Sequence, residues 1–195
     1  MGTADDIAEA KRTWRRLLGG MFSLLPRETR READDLLAER LREFVFEARV
    51  ERVLGFAPMA DEPDVTPFFR KWLEEGGTLA MPVWHGADRM TMRFVSDIDR
   101  DLRPGRAGIL EPADGLPEAN AADFDLIVAP GRAFSESCAR LGRGAGCYDR
   151  LFRDAAAQKV GIAYDFQVFP QLPAGPDDEC VDLLLTPMRI VKRYD

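Results

Sequence analysis

A chain of 195 residues, 46% hydrophobic and 31% charged, is long enough for one compact domain with its own core and shows no low-complexity segment. Its formal charge of -7 argues against a nucleic-acid partner, since phosphate backbones select basic surfaces, whereas a bound nucleotide needs only a local positive pocket. No apolar run is long enough to span a bilayer, and Met1–Glu9 carries acids and no apolar stretch, so no membrane association is expected and the expected location is the cytoplasm.

In chain order, Thr3 followed by Asp6 predicts a helix N-terminus, after which Ile7, Trp14, Leu17, Leu18 and Met21 recur at helical spacing. A second helix is predicted from Arg27 to Arg42, with Ala33, Leu36, Leu37 and Leu41 on one face. Val50–Phe56 reads as a strand, Ala57–Pro67 as a loop, and Phe68–Glu75 as a helix stopped by Gly76-Gly77. Strands follow at Thr78–Val83, ending at Trp84, and at Met90–Val95, where Phe94 reads as a core residue. Gly105–Ala121, rich in Pro and Gly, reads as loop. Asp125–Ala129 and Val160–Tyr164 are short apolar runs of the kind that form buried parallel strands, with a helix predicted between them at Cys147–Gln158. Val181–Thr186 is the last full strand, with Ile190 and Val191 near the end. Strand and helix alternate from Val50 onward. That predicts an α/β fold, a single domain over residues 1–195 with three α/β/α layers and a mostly parallel sheet of Rossmann-like, open doubly wound type. The binding cleft is expected at the carboxyl ends of the strands, where the Pro130 loop and the stretch from Gln171 to Asp178 fall.

Cys138, Cys147 and Cys180 are odd in number, match no zinc spacing, and read as reduced, mostly structural thiols. The only histidine, His85, excludes a His-rich metal centre and reads as a solvated or lightly hydrogen-bonded turn residue. The chemistry concentrates in Arg140-Leu-Gly-Arg-Gly-Ala-Gly-Cys-Tyr-Asp-Arg150. Alternating glycines let the backbone approach a ligand, and free N–H groups leading into a helix form an anion site. Arg140 and Arg143 add charge-assisted donors for phosphate oxygens, and Asp149 suits a magnesium ion shared with phosphate. The spacing is neither the dinucleotide fingerprint nor a Walker A motif. Glycines that merely make a tight turn are the plainer account, and the flanking arginines and acid weigh against it. Lys11 and Arg15 share a helix face at i, i+4, where two cations repel unless an anion lies between them; on the residues alone, with Arg12 and Arg16 nearby, they read as a solvated basic face. Glu62, Asp64 and Glu111-Pro112 read, by themselves, as surface loop residues.

The run Pro130-Gly-Arg-Ala-Phe134, followed by Arg140 to Arg150, resembles the signature of the 5-formyltetrahydrofolate cyclo-ligase family, in which a proline-glycine loop and Phe-Asp precede Arg-Leu-Gly-x-Gly-x-Gly-Tyr-Tyr-Asp. Other segments are similar to the family in order: Lys11 and Arg15, Glu62-Pro-Asp-Val-Thr-Pro67, Gly76-Gly-Thr-Leu-Ala-Met-Pro82, Met92-Arg-Phe94, Ile109-Leu-Glu-Pro112, Gln167, Leu172-Pro173, Asp178, Val181-Asp182 and Thr186. The match runs from about residue 7 to 187. The resemblance implies ATP-driven closure of 5-formyltetrahydrofolate to 5,10-methenyltetrahydrofolate, a reduced folate as partner, ATP and Mg2+ as cofactors, and a monomer or homodimer. It implies ATP binding by Lys11, Arg15, Arg140, Leu141, Gly142, Arg143, Gly144, Ala145, Gly146, Cys147 and Tyr148. Folate would be held by Glu62, Trp84, Cys147 and Tyr148, with Glu62 accepting from pterin N–H groups, and metal by Asp149 and Asp178. The chain departs from the family pattern at Val65, Ser135, Ala145, Cys147, Gly175 and Asp177. The last three of these departures point to the alternative, a nucleotide-binding relative without turnover.

Overall fold

The computed structural model describes residues 3–86 and 89–193; Met1 and Gly2 of the acidic N-terminal stretch lie outside the described residues. The elements are α1 (Ala4–Leu18), α2 (Arg27–Glu47), β1 (Arg52–Leu54), α3 (Thr66–Glu74), β2 (Thr78–Trp84), β3 (Met90–Val95), α4 (Ile98–Asp101), β4 (Leu102–Pro104), β5 (Leu110–Pro112), β6 (Glu118–Ala119), β7 (Leu126–Pro130), β8 (Ala133–Ser135), β9 (Arg140–Leu141), α5 (Cys147–Asp154), β10 (Gln158–Ile162), β11 (Val168–Phe169), β12 (Leu183–Leu185) and β13 (Ile190–Lys192).

Thr3 opens α1 with a reciprocal cap, its hydroxyl accepting from the Asp6 N–H at 3.2 Å while its own N–H donates to Asp6 Oδ2 at 2.7 Å. The predicted second helix runs on to Glu47, because Val45 extends the buried row of Leu37 and Leu41 by one more turn. It stops where Arg49 adopts a positive φ of 54°. Thr66 and Pro67, read as loop, belong to the first turn of α3, where proline costs no hydrogen bond. Asp64, also read as a surface loop acid, accepts the Thr66 N–H there at 2.9 Å. Gly76, at φ 88°, ends the segment. The fifth helix ends at Asp154, earlier than predicted: Ala155 is extended and buried, and Gln158 is already in β10, in register with Leu126.

The eight-stranded sheet has the order β13-β12-β10-β7-β1-β2-β3-β6. Strands β12, β10, β7, β1 and β2 run parallel, and β13, β3 and β6 are antiparallel additions at the two edges. Successive residues of the central strands bury to opposite faces. Val53, Leu126, Val128, Leu183 and Leu185 pack with Leu37, Leu41, Phe68 and Phe69 of α2 and α3. Leu54, Ile127, Ala129 and Leu184 pack with Leu151 and Phe152 of α5. Gly105–Ala121, read as loop, supplies β5, which pairs with β4, and β6, which closes one edge of the sheet. A small sheet of order β11-β8-β9 lies beside the main one and seats the Arg140 end of the glycine loop. Cys138 is buried, and burial pushes its thiol up to about 11. Phe94 is partly buried against the second core cluster. Among the described residues, no helix is long and apolar enough to cross a membrane.

Candidate active site

A cleft of about 700 Å³ opens at the carboxyl ends of β1, β2 and β7, roofed by α1 and by the loop leading into α5. Every residue singled out in the sequence for ATP, folate or metal lines it: Lys11, Arg15, Glu62, Trp84, the run from Arg140 to Tyr148, Asp149 and Asp178. His85 stays outside, its Nε2 at 2.7 Å from Thr91 Oγ1.

The glycine loop is shaped for close approach. Gly144 has φ 109° and Gly146, the residue that caps α5, has φ 66°; a side chain is disfavoured at both. Arg15 donates from Nε to the Gly142 carbonyl at 2.8 Å, and its guanidinium lies beside Gly144. Arg140 is nearly buried. It donates to the Pro130 carbonyl at 3.3 Å, lies 3.6 Å from Asp149, and sits 5.0 Å above the Tyr148 ring. Its Nε has no hydrogen-bond partner among the described residues, an orphan donor at the wall of the cleft.

Ion pairs knit the rim together. Lys11 is held by both oxygens of Asp178, which also accepts the Gly175 N–H. That last bond needs only the backbone N–H of residue 175, which glycine supplies. Asp149 accepts the Glu179 N–H at 3.3 Å, which sets it against the peptide following Asp178. Arg143 reaches from the glycine loop to Asp61 and to Glu62 Oε1 at 3.1 Å, while Glu62 Oε2 accepts the Met59 N–H at 2.9 Å. Asp61 is shared with Arg132, whose guanidinium also donates to the Arg15 carbonyl at 3.1 Å.

These contacts set the proton affinities. Burial opposes ionisation of Asp61, but the hydrogen bond and charge of Arg143 and the charge of Arg132 outweigh it and hold the carboxyl below its usual range. Burial lowers Arg15, Asp178 draws it back up, and Arg140 repels it. Burial pushes the Tyr148 phenol far up, so it stays protonated. In all, Lys11, Arg15, Arg140 and Arg143 line one cleft with the glycine loop, which suits a polyphosphate. Among the described residues no three His, Cys, Asp or Glu side chains converge as a metal cage. Asp149 and Asp178 both line the cleft, with Asp178 engaged by Lys11 and Asp149 lying 3.6 Å from Arg140.

The sequence profile of the 5-formyltetrahydrofolate cyclo-ligase family matches residues 7–187. The chain belongs to that family. It is 30% identical over 160 residues to the 5-formyltetrahydrofolate cyclo-ligase of Mycolicibacterium smegmatis, covering 78% of this chain and 82% of that one. With the Escherichia coli protein of the same name it shares 27% over 171 residues, 84% and 92% of the two chains. The solution structure of the Aquifex aeolicus 5,10-methenyltetrahydrofolate synthetase superposes with a TM-score of 0.84 at 33% identity, over 95% of this chain and 93% of that one.

Asp61, Arg132 and Glu111 receive no site role from the sequence, although Arg132 and Glu111 fall within segments similar to the family. Asp61 and Arg132 look like isolated loop charges until the fold joins them. Glu111 was read as a surface loop residue; it is 8% exposed, lines the cleft, and accepts the Trp84 N–H at 3.1 Å. The available signal was the alternation around it, exposed Leu110 against inward Ile109 and Glu111, which reads as a strand once the segment is not taken for loop.

Proposed function

We propose that this chain catalyses the ATP-dependent cyclisation of 5-formyltetrahydrofolate to 5,10-methenyltetrahydrofolate, with release of ADP and phosphate. The observation that carries the reading is one cleft that holds two chemistries. Its lining combines Lys11, Arg15, Arg140 and Arg143 with the glycine loop, and the apolar residues Phe56, Pro82, Trp84, Met90 and Ile109.

The N5 formyl group is amide-like, and its oxygen is a poor leaving group. Attack of that oxygen on the γ-phosphorus breaks the bond to the β,γ-bridging oxygen and releases ADP. The N10 lone pair then bonds to the formyl carbon, the carbon–oxygen bond breaks with phosphate leaving, and N10 gives up its proton. Phosphoryl transfer asks the protein for alignment and charge stabilisation, not for a covalent nucleophile. Lys11, Arg15, Arg140, Arg143 and the N–H groups of Gly142, Gly144, Ala145 and Gly146 supply these at the phosphates. Each cation gives up or shares a carboxylate or carbonyl partner when phosphate arrives. Glu62, Trp84, Cys147 and Tyr148 border the folate. Asp149 and Asp178 would hold Mg2+, which neutralises phosphate charge when bound.

The test is direct. Incubation with 5-formyltetrahydrofolate, ATP and magnesium should give methenyl absorbance and ADP in equal amounts. ATP binding without methenyl product would overturn the assignment.

A further inference from the structure

We propose that Glu111 is a substrate-binding residue that accepts hydrogen bonds from the N–H edge of the pteridine ring, an inference that rests on reading the cleft as a folate site. The argument starts from a difference among the acids around the cleft. Asp178 is paired with Lys11, Asp149 with Arg140, Asp61 with Arg132 and Arg143, and Glu62 with Arg143. Glu111 is buried, as Glu62 is, and among the described residues no cation pairs with it. The hydrogen bond it makes is the one from the Trp84 N–H to Oε1. A carboxylate taken out of water without a cation is costly unless donors replace the water it lost. Here one donor comes from the protein, and the residue lines the cleft, where a ligand could supply others.

The seat of this carboxylate is built by the fold. Gly105 packs against it so closely that a Cβ there would fall 2.1 Å from Oε2. Trp84 is at the end of β2, so its N–H, fixed by the strand, orients Glu111. Around it the walls are Pro82, Trp84, Met90 and Ile109, which are apolar. An apolar slot with a lone acceptor at its side suits a flat heterocycle that presents adjacent N–H donors. The pteridine ring amide and its exocyclic amine are such a pair, spaced for the two oxygens of a carboxylate. Glu62 has a different position: one of its oxygens is bound to Arg143, so it ties the folate side of the cleft to the nucleotide loop.

Glu111→Gln tests this. Glutamine keeps the volume and an oxygen for the Trp84 N–H, but replaces the second acceptor with a donor. Titration of the full chain with 5-formyltetrahydrofolate, without ATP, should show affinity reduced by about tenfold or more, the scale of one charge-assisted bond. The Michaelis constant for ATP and the melting temperature should stay at the parent values. Unchanged folate affinity would overturn the proposal, as would a joint loss of ATP affinity, folate affinity and melting temperature. A second measurement needs no variant. The parent should bind an N3-methylated 5-formyltetrahydrofolate, which lacks the ring amide donor, about tenfold more weakly or worse; equal binding also overturns the proposal. If the parent never forms methenyl product, the proposed reaction fails while the folate titrations still decide Glu111.

Discussion

At the scale of single residues, two of the departures from the family pattern, Ala145 and Cys147, line the cleft, while Val65 and Ser135 are buried away from it. Cys147 begins α5, lines the cleft, and stands where the family carries tyrosine. Restoring an aromatic face is worth about 0.5–1.5 kcal/mol, so Cys147→Tyr should lower the Michaelis constant for folate by about two- to tenfold. The constant for ATP should stay in place; a change confined to ATP would put residue 147 on the nucleotide side. Arg143 gives a contrasting case. Its guanidinium spans Asp61 and Glu62, and in the proposed reaction it turns to phosphate. Arg143→Ala should raise the Michaelis constant for ATP by about tenfold or more through loss of a charge-assisted contact. Arg143→Lys should recover only part of this, since an ammonium cannot reproduce the two-pronged fork. Full recovery with lysine would mean that charge alone matters there. Residue chemistry was legible in the glycine loop because arginine, glycine and acid sit together in sequence. Asp61, Arg132 and Glu111 were not, because each acquires its partner from a segment distant in the chain.

At the scale of elements, the loop from Gly142 to Gly146 works by backbone conformation. Gly144, at φ 109°, has its Cα facing the Arg15 guanidinium, and an added Cβ would sit 3.4 Å from Arg15 Cζ. Space is therefore adequate, and the obstacle is the dihedral. Gly144→Ala should strain the loop by about 1–3 kcal/mol, relieved if the loop moves. Movement would misplace the N–H groups, so ATP affinity should fall while folate affinity measured without ATP is kept. A crystal structure of the variant with an unmoved loop and parental ATP affinity would contradict this. Element boundaries were legible where periodicity and breakers agree, as at Thr3 and Gly76. They were misread where burial continues past the pattern. Val45 carries α2 onward, and β5 and β6 are too short for their alternation to stand out among Pro and Gly.

At the scale of the molecule, the alternation of strands and helices was enough to indicate a parallel sheet with its cleft at the strand ends. It could not give strand order. The last two parallel strands add to one side of β7 and the first two to the other, because pairing is decided by which apolar faces helices cover. The folded whole also carries a pH dependence, whose sign follows from its carboxylates. Asp101 is held far below the carboxylate range, first by the Arg100 guanidinium; burial opposes this, and N–H groups of Ser96 and Asp97 at 2.8 and 3.0 Å add to it. Asp61 is likewise depressed. A carboxyl whose folded pKa is depressed stabilises the fold above its unfolded value, about 3.9, and loses that contribution as pH falls toward the folded value. Asp34 acts oppositely: burial raises it, so its contribution is lost as pH rises through the folded value, even with Tyr164 donating to it at 2.6 Å. With Asp6, Asp61, Asp99 and Asp101 all depressed against Asp34 alone, urea midpoints should hold from neutral pH down to about pH 5 and fall below about pH 4. Asp101→Asn keeps the turn's shape but loses the charge that Arg100 and the N–H groups favour. It should be less stable than the parent at pH 7, and the gap should narrow as both are taken toward pH 2, where the parent carboxyl also begins to protonate. A gap that stays constant across that range would mean that Asp101 contributes packing and not charge.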